Sequence, residues 1–372
     1  MKILILLSFL TIAFDKCSPQ VKNAGNNTTT VYQDSAATAF FKRDTGWNAG
    51  DGSFSIPLTD GRALWTFGDS YVNMYNKNTK TVPCLFNTHS AALLQPNLNN
   101  WDWKTSITLN QNNKSFFENP AGHKYWLWPA GGIQLNDTVY VFCFNLTTGN
   151  GTGGDMNFKS NSVDVWAKLK YPEMRMAGYS YLQHFDGISF GQGFVKDERS
   201  GFVYAYGSKG YKPGKLYVAR FPIKNPNMKW TFWDGATWQS DIKKIASIAE
   251  GNGFSNVVSK VKDKYVMTTA EFSMGCDLGK NISIAISGKP TGPFTNSKII
   301  YTIPDRLEGH SPFFYAAILH PEFINNKNEV LLTYCINAYG TCVKTCINGK
   351  YNPDYYRPRA VRVPLSLIDS SL

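Results

Sequence analysis

Ala63-Leu-Trp-Thr-Phe-Gly68 is the first of five related stretches; the others are Thr138-Val-Tyr-Val-Phe-Cys143, Phe202-Val-Tyr-Ala-Tyr-Gly207, Lys264-Tyr-Val-Met-Thr-Thr269 and Glu329-Val-Leu-Leu-Thr-Tyr334. Their starts are 75, 64, 62 and 65 residues apart, and the β-branched and aromatic side chains that dominate them favour strands. Each follows a polar turn: Thr59-Asp-Gly-Arg62, Asn136-Asp137, Asp197-Glu-Arg-Ser-Gly201, Lys262-Asp263 and Asn325-Asn-Lys-Asn328. Such residues accept the backbone conformations of a hairpin. A further strand follows in every unit: His89-Ser-Ala-Ala-Leu-Leu94, Val163-Asp-Val-Trp-Ala-Lys168, Lys215-Leu-Tyr-Val-Ala-Arg220, Asn281-Ile-Ser-Ile-Ala-Ile286 and Arg359-Ala-Val-Arg-Val363. A unit of about 65 residues with three or four antiparallel strands leaves little room for helices and has the size of a propeller blade. The expected fold is therefore all-β, a five-bladed β-propeller, with a sandwich carrying irregular loops as the competing reading. The last unit ends at Pro364 to Leu372 without a fourth strand, and Thr29 to Phe41 precedes the first unit without a partner. Ring closure by this N-terminal strand beside Arg359 to Val363 would remove two open edges.

Composition agrees with a large buried core. Of 372 residues, 43% are apolar, 15% aromatic and only 17% charged, which excludes disorder. The balance of 38 basic against 27 acidic residues gives +11, but the charges are scattered, as at Lys42-Arg43, Lys77, Lys80 and Lys209 to Lys215. Nucleic-acid binding needs a continuous basic stripe, so it is not expected; attraction to anionic glycans or a cell surface is the milder use of this charge. Met1-Lys2 followed by the apolar run Ile3 to Phe14 reads as a secretory signal over residues 1–17, followed by a linker, 18–28, and one domain, 29–372. A run of twelve residues is too short to span a bilayer, and no later apolar stretch approaches eighteen. The chain is expected to be an exported monomer of the periplasm, cell surface or extracellular space. Cys17 sits where a lipoprotein cysteine would, although Phe14-Asp15-Lys16 lacks the small residues of a lipobox, so lipid anchoring and simple export both stand.

Six further cysteines permit disulfides without fixing their connectivity. Cys342 and Cys346 are close enough for a loop staple, and Cys276 and Cys335 end equivalent strands. A zinc site is the alternative, but Cys-x3-Cys has no second Cys or His pair at finger spacing.

In a propeller the loop that leads into each inner strand delivers side chains to one shared funnel. Those loops are Asp44 to Asp51, Glu118 to Pro129, Gln183 to Asp186, Glu250 to Asn256 and Arg306 to Pro312; the second strands end on the same face and add Asp69, Asn145, Glu271 and Asn337. Carboxylates and aromatic residues together, including Trp47, Tyr125, Trp126 and Trp128, suit a sugar, because aromatic faces stack on pyranose surfaces and carboxyls serve as acid and base. His184 and His310 lie in the same loops and join Trp47, Asp69, Trp126, Trp128 and Glu271 as candidate substrate contacts. Gly-Asn-Gly-Thr-Gly-Gly over 149–154 precedes no helix and reads as a loop, without the helix N-terminus of a phosphate cradle. His320, along an inner strand, should face the central channel as a hydrogen-bonded core histidine; a structural cation beside it is what a resemblance to related propellers would imply. Trp230, Trp233 and Trp238 read as blade packing.

Gly50 to Asp69, Trp126-Leu-Trp-Pro129, Trp230 to Trp238 and Tyr315-Ala-Ala-Ile-Leu-His-Pro-Glu322 resemble five-bladed propeller glycoside hydrolases related to arabinanases. That wider group includes the family 43 arabinanases and xylosidases, and the nearer likeness is to an exported bacterial branch that includes D-arabinan-degrading enzymes. The resemblance implies an Asp base at the start of blade one, matched by Asp51, and a Glu acid in a Glu-Gly-Pro setting, matched by Glu250-Gly251 with Asn252 in place of Pro. The family's tuning Asp would align with Ala130, so Asp186 or Asp69 would have to supply the third carboxylate. Asp69 and Asp186 can equally be turn residues. The expectation is a glycoside hydrolase needing no cofactor, with Asp51 ionised as base or nucleophile and Glu250 protonated across the funnel. The alternative is a carbohydrate-binding or scaffold propeller that has lost catalysis.

Overall fold

The computed structural model describes residues 30–149, 157–161, 163–251, 253, 255–275, 277–338 and 343–372. The expected signal segment, linker and Cys17 lie outside the described residues, as do Asn252, Cys276, Cys342 and most of the Gly-rich run.

The chain is all-β. After β1 (Tyr32–Gln33) and the short helix α1 (Ser35–Phe40) come β2 (Trp47–Gly50), β3 (Phe54–Pro57), β4 (Ala63–Phe67), β5 (Ser70–Val72), β6 (Val82–Pro83), β7 (Ala91–Gln95) and β8 (Ile107–Thr108). The first sheet runs β3-β4-β7-β8, and β2 pairs separately with β5. The second contains β9 (Tyr125–Leu135), β10 (Thr138–Thr148), β11 (Phe158–Ser160), β12 (Val165–Lys170) and β13 (Arg175–Tyr181). The third contains β14 (Ser189–Asp197), β15 (Phe202–Lys209), β16 (Gly214–Pro222), β17 (Thr231–Trp233), β18 (Trp238–Gln239) and β19 (Ala249–Gly251). The fourth runs β20 (Asn256–Val261), β21 (Lys264–Ala270), β22 (Asn281–Ser287) and β23 (Thr295–Thr302). Next come β24 (Phe313–His320), β25 (Glu329–Asn337), β26 (Cys346–Ile347), β27 (Lys350–Tyr351) and β28 (Arg359–Pro364); the fifth sheet is β24-β25-β28-β1, and β26-β27-β6 form a small separate sheet. The turns have the expected chemistry, with Asn136 at φ 54° and Lys262 at φ 51° in two-residue hairpins.

Each sheet packs on the next. Ile56, Leu64 and Ala92 of the first meet Val139, Val141 and Val165 of the second, and Phe142 and Trp166 of the second meet Phe190, Val203 and Trp230 of the third. Val195, Tyr204 and Leu216 then face Val258, Tyr265 and Met267, while Val261, Val266 and Ile282 face Leu319, Val330 and Val361. Finally Leu331 and Ala360 return to Trp65, Phe67 and Leu93 of the first sheet. Central strands such as β4 and β7 are buried at every residue, because both faces of each sheet are covered. This is why the second strands read as near-continuous apolar runs rather than alternating ones. Truncating one of the fully buried tryptophans Trp65, Trp166 or Trp230 to Ala should cost about 3–5 kcal/mol.

The inner strands approach closely enough to demand glycine. At Gly193, with φ 131°, a Cβ would lie 2.1 Å from the carbonyl oxygen of Val258.

Residues 29–41 were expected to form one extended strand, but among the described residues 30–41 only Tyr32 and Gln33 pair as a strand, opposite Arg362 and Val361. Asp34 then caps α1 by accepting the Ala37 amide, and the helix buries Ala37, Phe40 and Phe41 in the core beside Trp65. The Asp34 carboxylate is held 2.6 Å from Arg362 Nε.

The cysteine pairing also differs from expectation. Cys84 is bonded to Cys346, 262 residues away, so Cys346 is not stapled to Cys342, and Cys335 is buried with a free thiol. Cys84 follows β6 and Cys346 opens β26, so the bond fastens the small sheet that joins the first and fifth parts of the chain. Trp230 is core, and Trp233 and Trp238 pack against the interface of the third and fourth sheets.

Candidate active site

Asp51 and Asp69 are delivered together by one local arrangement. Gly50 of β2 pairs with Ser70 of β5, and the Gly68 amide donates to the Asp51 carbonyl at 2.8 Å. Gly68 leaves the space that the carboxylate fills: a Cβ there would sit 2.5 Å from Asp51 Oδ1. Tyr315, from β24, donates its phenol to Asp51 Oδ2 at 2.7 Å, and Tyr356 supplies a second phenol. Burial, with the negative charge of Asp69 adding to it, pushes the Asp51 carboxyl up to about 7 against these two donors.

Asp69 is anchored differently. Its Oδ1 accepts Trp128 Nε1 at 2.8 Å and meets His89 Nδ1 at 2.8 Å. Burial raises its pKa, opposed by these two partners. The His89 ring stacks on Trp126 with centroids 4.8 Å apart, and Trp128 meets Phe158 edge-on at 4.5 Å. The result is a half-buried carboxyl pair beside a wall of aromatic rings.

Asp164, just before β12, is a further buried carboxyl that sequence reasoning did not single out. Its Oδ1 accepts the Asn145 amide at 3.2 Å, and burial pushes it up to about 7 despite that bond and the nearby His184. His184 Nδ1 in turn lies 2.8 Å from Asp186 Oδ1, and Lys209 Nζ donates to the Asp186 carbonyl.

Several expected contributors lie elsewhere. Trp47 is fully buried, tilted against Phe67 and bonded through Nε1 to Ser70; its ring is core rather than a stacking platform for a ligand. Glu250 sits on β19, which adds to β16 at the edge of the third sheet. Its side chain is 55% exposed, 4.0 Å from Lys215 Nζ. With Glu271 it borders a separate cavity of about 350 Å³, where Glu271 Oε2 accepts the amides of Lys280 and Asn281. His310 pairs with exposed Asp277 at 2.8 Å. The structure thus brings Asp51, Asp69, Trp126 and Trp128 together, and recruits His89, Tyr315 and Tyr356 to them.

His320 is buried, with Nδ1 2.5 Å from Ser55 Oγ and Nε2 2.8 Å from Thr333 Oγ1. Burial drives its pKa down to about 3, so the ring is neutral. Direct ligation of a channel cation would require displacing one of these bonds. Among the described residues, no three His, Cys, Asp or Glu side chains cluster as metal ligands, and no helix is long and apolar enough to cross a membrane.

Sheets that pack in cyclic order and present an acidic, aromatic-lined rim define an all-β, propeller-like domain. The chain belongs to the family described as domain of unknown function DUF5005, whose model matches residues 34–365. No curated protein matches its sequence. Among solved structures, a Bacteroides ovatus protein proposed to be a hydrolase is 21% identical over 94% of this chain and 95% of its own, with a TM-score of 0.71, which shows a shared fold. An endo-arabinase from Bacteroides thetaiotaomicron is 12% identical over 86% of this chain and 97% of its own, with a TM-score of 0.48. The catalytic domain of a family 62 α-L-arabinofuranosidase from Coprinopsis cinerea is 9% identical over 87% and 92%, with a TM-score of 0.45.

Proposed function

We propose that this chain is an exported glycoside hydrolase, a five-bladed β-propeller closed between β1 and β28, that cleaves a polysaccharide or oligosaccharide at the rim holding Asp51 and Asp69. The five cyclic sheet interfaces support the blade count, and the pairing of Tyr32 and Gln33 with Arg362 and Val361 supports the closure. One observation carries the functional reading: two neighbouring carboxyls stand in unequal surroundings. Asp51 is pushed up to about 7, whereas Asp69 accepts two side-chain partners on one oxygen. A like charge beside a buried carboxyl favours its protonated form, and environments that set two carboxyls apart assign acid and base.

The sequence suggested the ionised role for Asp51; we read it as the protonated partner instead, because burial pushes its carboxyl up to about 7. Asp51 holds the proton and donates it to the glycosidic oxygen as the bond to the anomeric carbon breaks. Asp69, ionised, either takes a proton from the water that attacks that carbon, or attacks it directly to form a glycosyl ester that water, deprotonated by the now ionised Asp51, then cleaves; carboxyl separation sets the choice. Trp126, Trp128 and His89 form the wall on which a sugar ring stacks. The reaction as proposed uses no cofactor. An arabinan-like or other plant, algal or microbial glycan is the substrate class, in keeping with the resemblance of the sequence to arabinanases. The leader and the disulfide fit export, with lipid at Cys17 as the anchored form, and the protein acts as a monomer.

A reducing-sugar screen across arabinans, xylans and galactans tests this. Turnover by the native chain that is lost in Asp51→Asn supports it; saturable glycan binding without turnover would make the domain a carbohydrate-binding propeller instead.

A further inference from the structure

Immediately after Asp51 the backbone turns through two left-handed residues, Gly52 at φ 100° and Ser53 at φ 42°. Serine pays for that conformation, and Ser53 is fully buried, so something must hold it. The fifth sheet does. Ser53 Oγ lies 3.1 Å from Thr333 Oγ1 and 3.8 Å from Cys335 Sγ, and the Gly52 amide donates to Cys335 Sγ at 3.3 Å. Thr333 Oγ1 also meets His320 Nε2, whose Nδ1 reaches Ser55, and Ser55 donates to Glu322. A continuous column of buried polar groups therefore runs from Glu322, through His320 and Thr333, to the turn that aims Asp51.

We propose that Thr333 is a positioning residue: its hydroxyl, braced by His320, pins the Ser53 turn and so fixes the Asp51 carboxyl against Tyr315 and Tyr356. Thr333 makes no contact with the reacting atoms and acts only through Ser53. The consequence for turnover rests on Asp51 being a reacting carboxyl; the consequence for the ionisation of Asp51 does not.

The test separates hydroxyl from volume. Thr333→Val keeps the shape and removes the hydroxyl, whereas Thr333→Ser keeps the hydroxyl and leaves a small cavity. The titratable groups that face Asp51 are Asp69, Tyr315, Tyr356 and Cys335. Both tyrosine donors favour the ionised carboxylate, so slackening the turn should raise the Asp51 midpoint. In protein labelled with carbon-13 at the aspartate carboxyls, with Asp51→Asn assigning the resonance, T333V should raise that midpoint by about half a unit or more. T333S should restore it, though its melting temperature falls. On the best glycan of the screen, kcat should drop about ten- to a hundredfold in T333V with KM little changed, and T333S should recover most of it. Ser53→Ala removes the same bond from the other side and serves if T333V does not fold. A native chain inert on every glycan, with the midpoint still raised in T333V, would sink the hydrolase reading and leave the positioning role standing. An unmoved midpoint in T333V and S53A would overturn the positioning role whatever the activity.

Discussion

Replacing Trp128 with Phe isolates one bond in the proposed mechanism. The ring stays, with its edge-on contact to Phe158, while the Nε1–H that donates to Asp69 Oδ1 at 2.8 Å is lost. A hydrogen bond to a charged group contributes about 1.5–3 kcal/mol, and about 1.4 kcal/mol corresponds to one pKa unit, so the Asp69 pKa should rise by about one to two units. The Asp69 side chain is only 15% exposed, so water replaces little of the lost donor. The sign follows from the bond: the donor favours the ionised carboxylate, and its removal favours the protonated one. Because the ionised form is the active base or nucleophile, the acid limb of the pH profile of kcat/KM should move to higher pH. The limb set by Asp51 near 7 should stay in place, so the active window narrows from its acid side. A pH series from about 4 to 9 on the best glycan measures this. An acid limb that stays put, or moves to lower pH, would refute the assignment of Asp69 as the ionised partner.

The remaining predictions concern stability. Asp51 binds its proton up to about 7 when folded but only to about 3.9 when unfolded, so the folded state holds more protons between those values and stability falls as pH rises through that window. Asp164 and Glu322, each pushed up to about 7 by burial, act in the same direction. Buried His320, driven down to about 3, opposes them only below about 6.5, so the three carboxyls prevail: the melting temperature should be higher at pH 5 than at pH 8, with a visibly shallower slope in Asp51→Asn, as scanning calorimetry would show. Reducing the Cys84–Cys346 bond, which closes a loop 262 residues long in sequence, should cost about 2–5 kcal/mol in denaturant titrations with and without reductant. Gly193→Ala should cost about 3 kcal/mol or more, or prevent folding, because its Cβ would meet the Val258 carbonyl in a conformation that L residues avoid; soluble yield and melting temperature report it.

Much of the architecture was legible because the repeat is local: strand, turn and strand can be read without knowing what packs on what. Asn136 and Lys262 took left-handed turn conformations where hairpins were expected. Asp51 and Asp69 were legible for the same reason, since one run of twenty residues delivers both. The partners that set their chemistry were not. Tyr315 and Tyr356 arrive from the far end of the chain, and His89 gains its role only because the third strand of a unit begins where the second ends. Trp47 misled because an aromatic residue in a loop looks alike whether it faces the core or the rim. Glu250 sits on an extra strand, β19, that the repeat does not contain. The strands β6, β26 and β27 are likewise additions to the repeat, which hid the Cys84–Cys346 pairing.

The central claim is that Asp51 and Asp69 form the acid–base pair of a glycan-cleaving site. It is tested most directly by measuring kcat/KM for Asp51→Asn, Asp69→Asn and Glu250→Gln side by side on the best glycan of the screen. The account predicts a loss of at least about a hundredfold in each of the first two, the low end of general acid–base contributions, and near-native activity in E250Q. Near-native turnover by correctly folded D51N or D69N, with activity abolished in E250Q, would contradict it and move the chemistry to the edge of the third sheet.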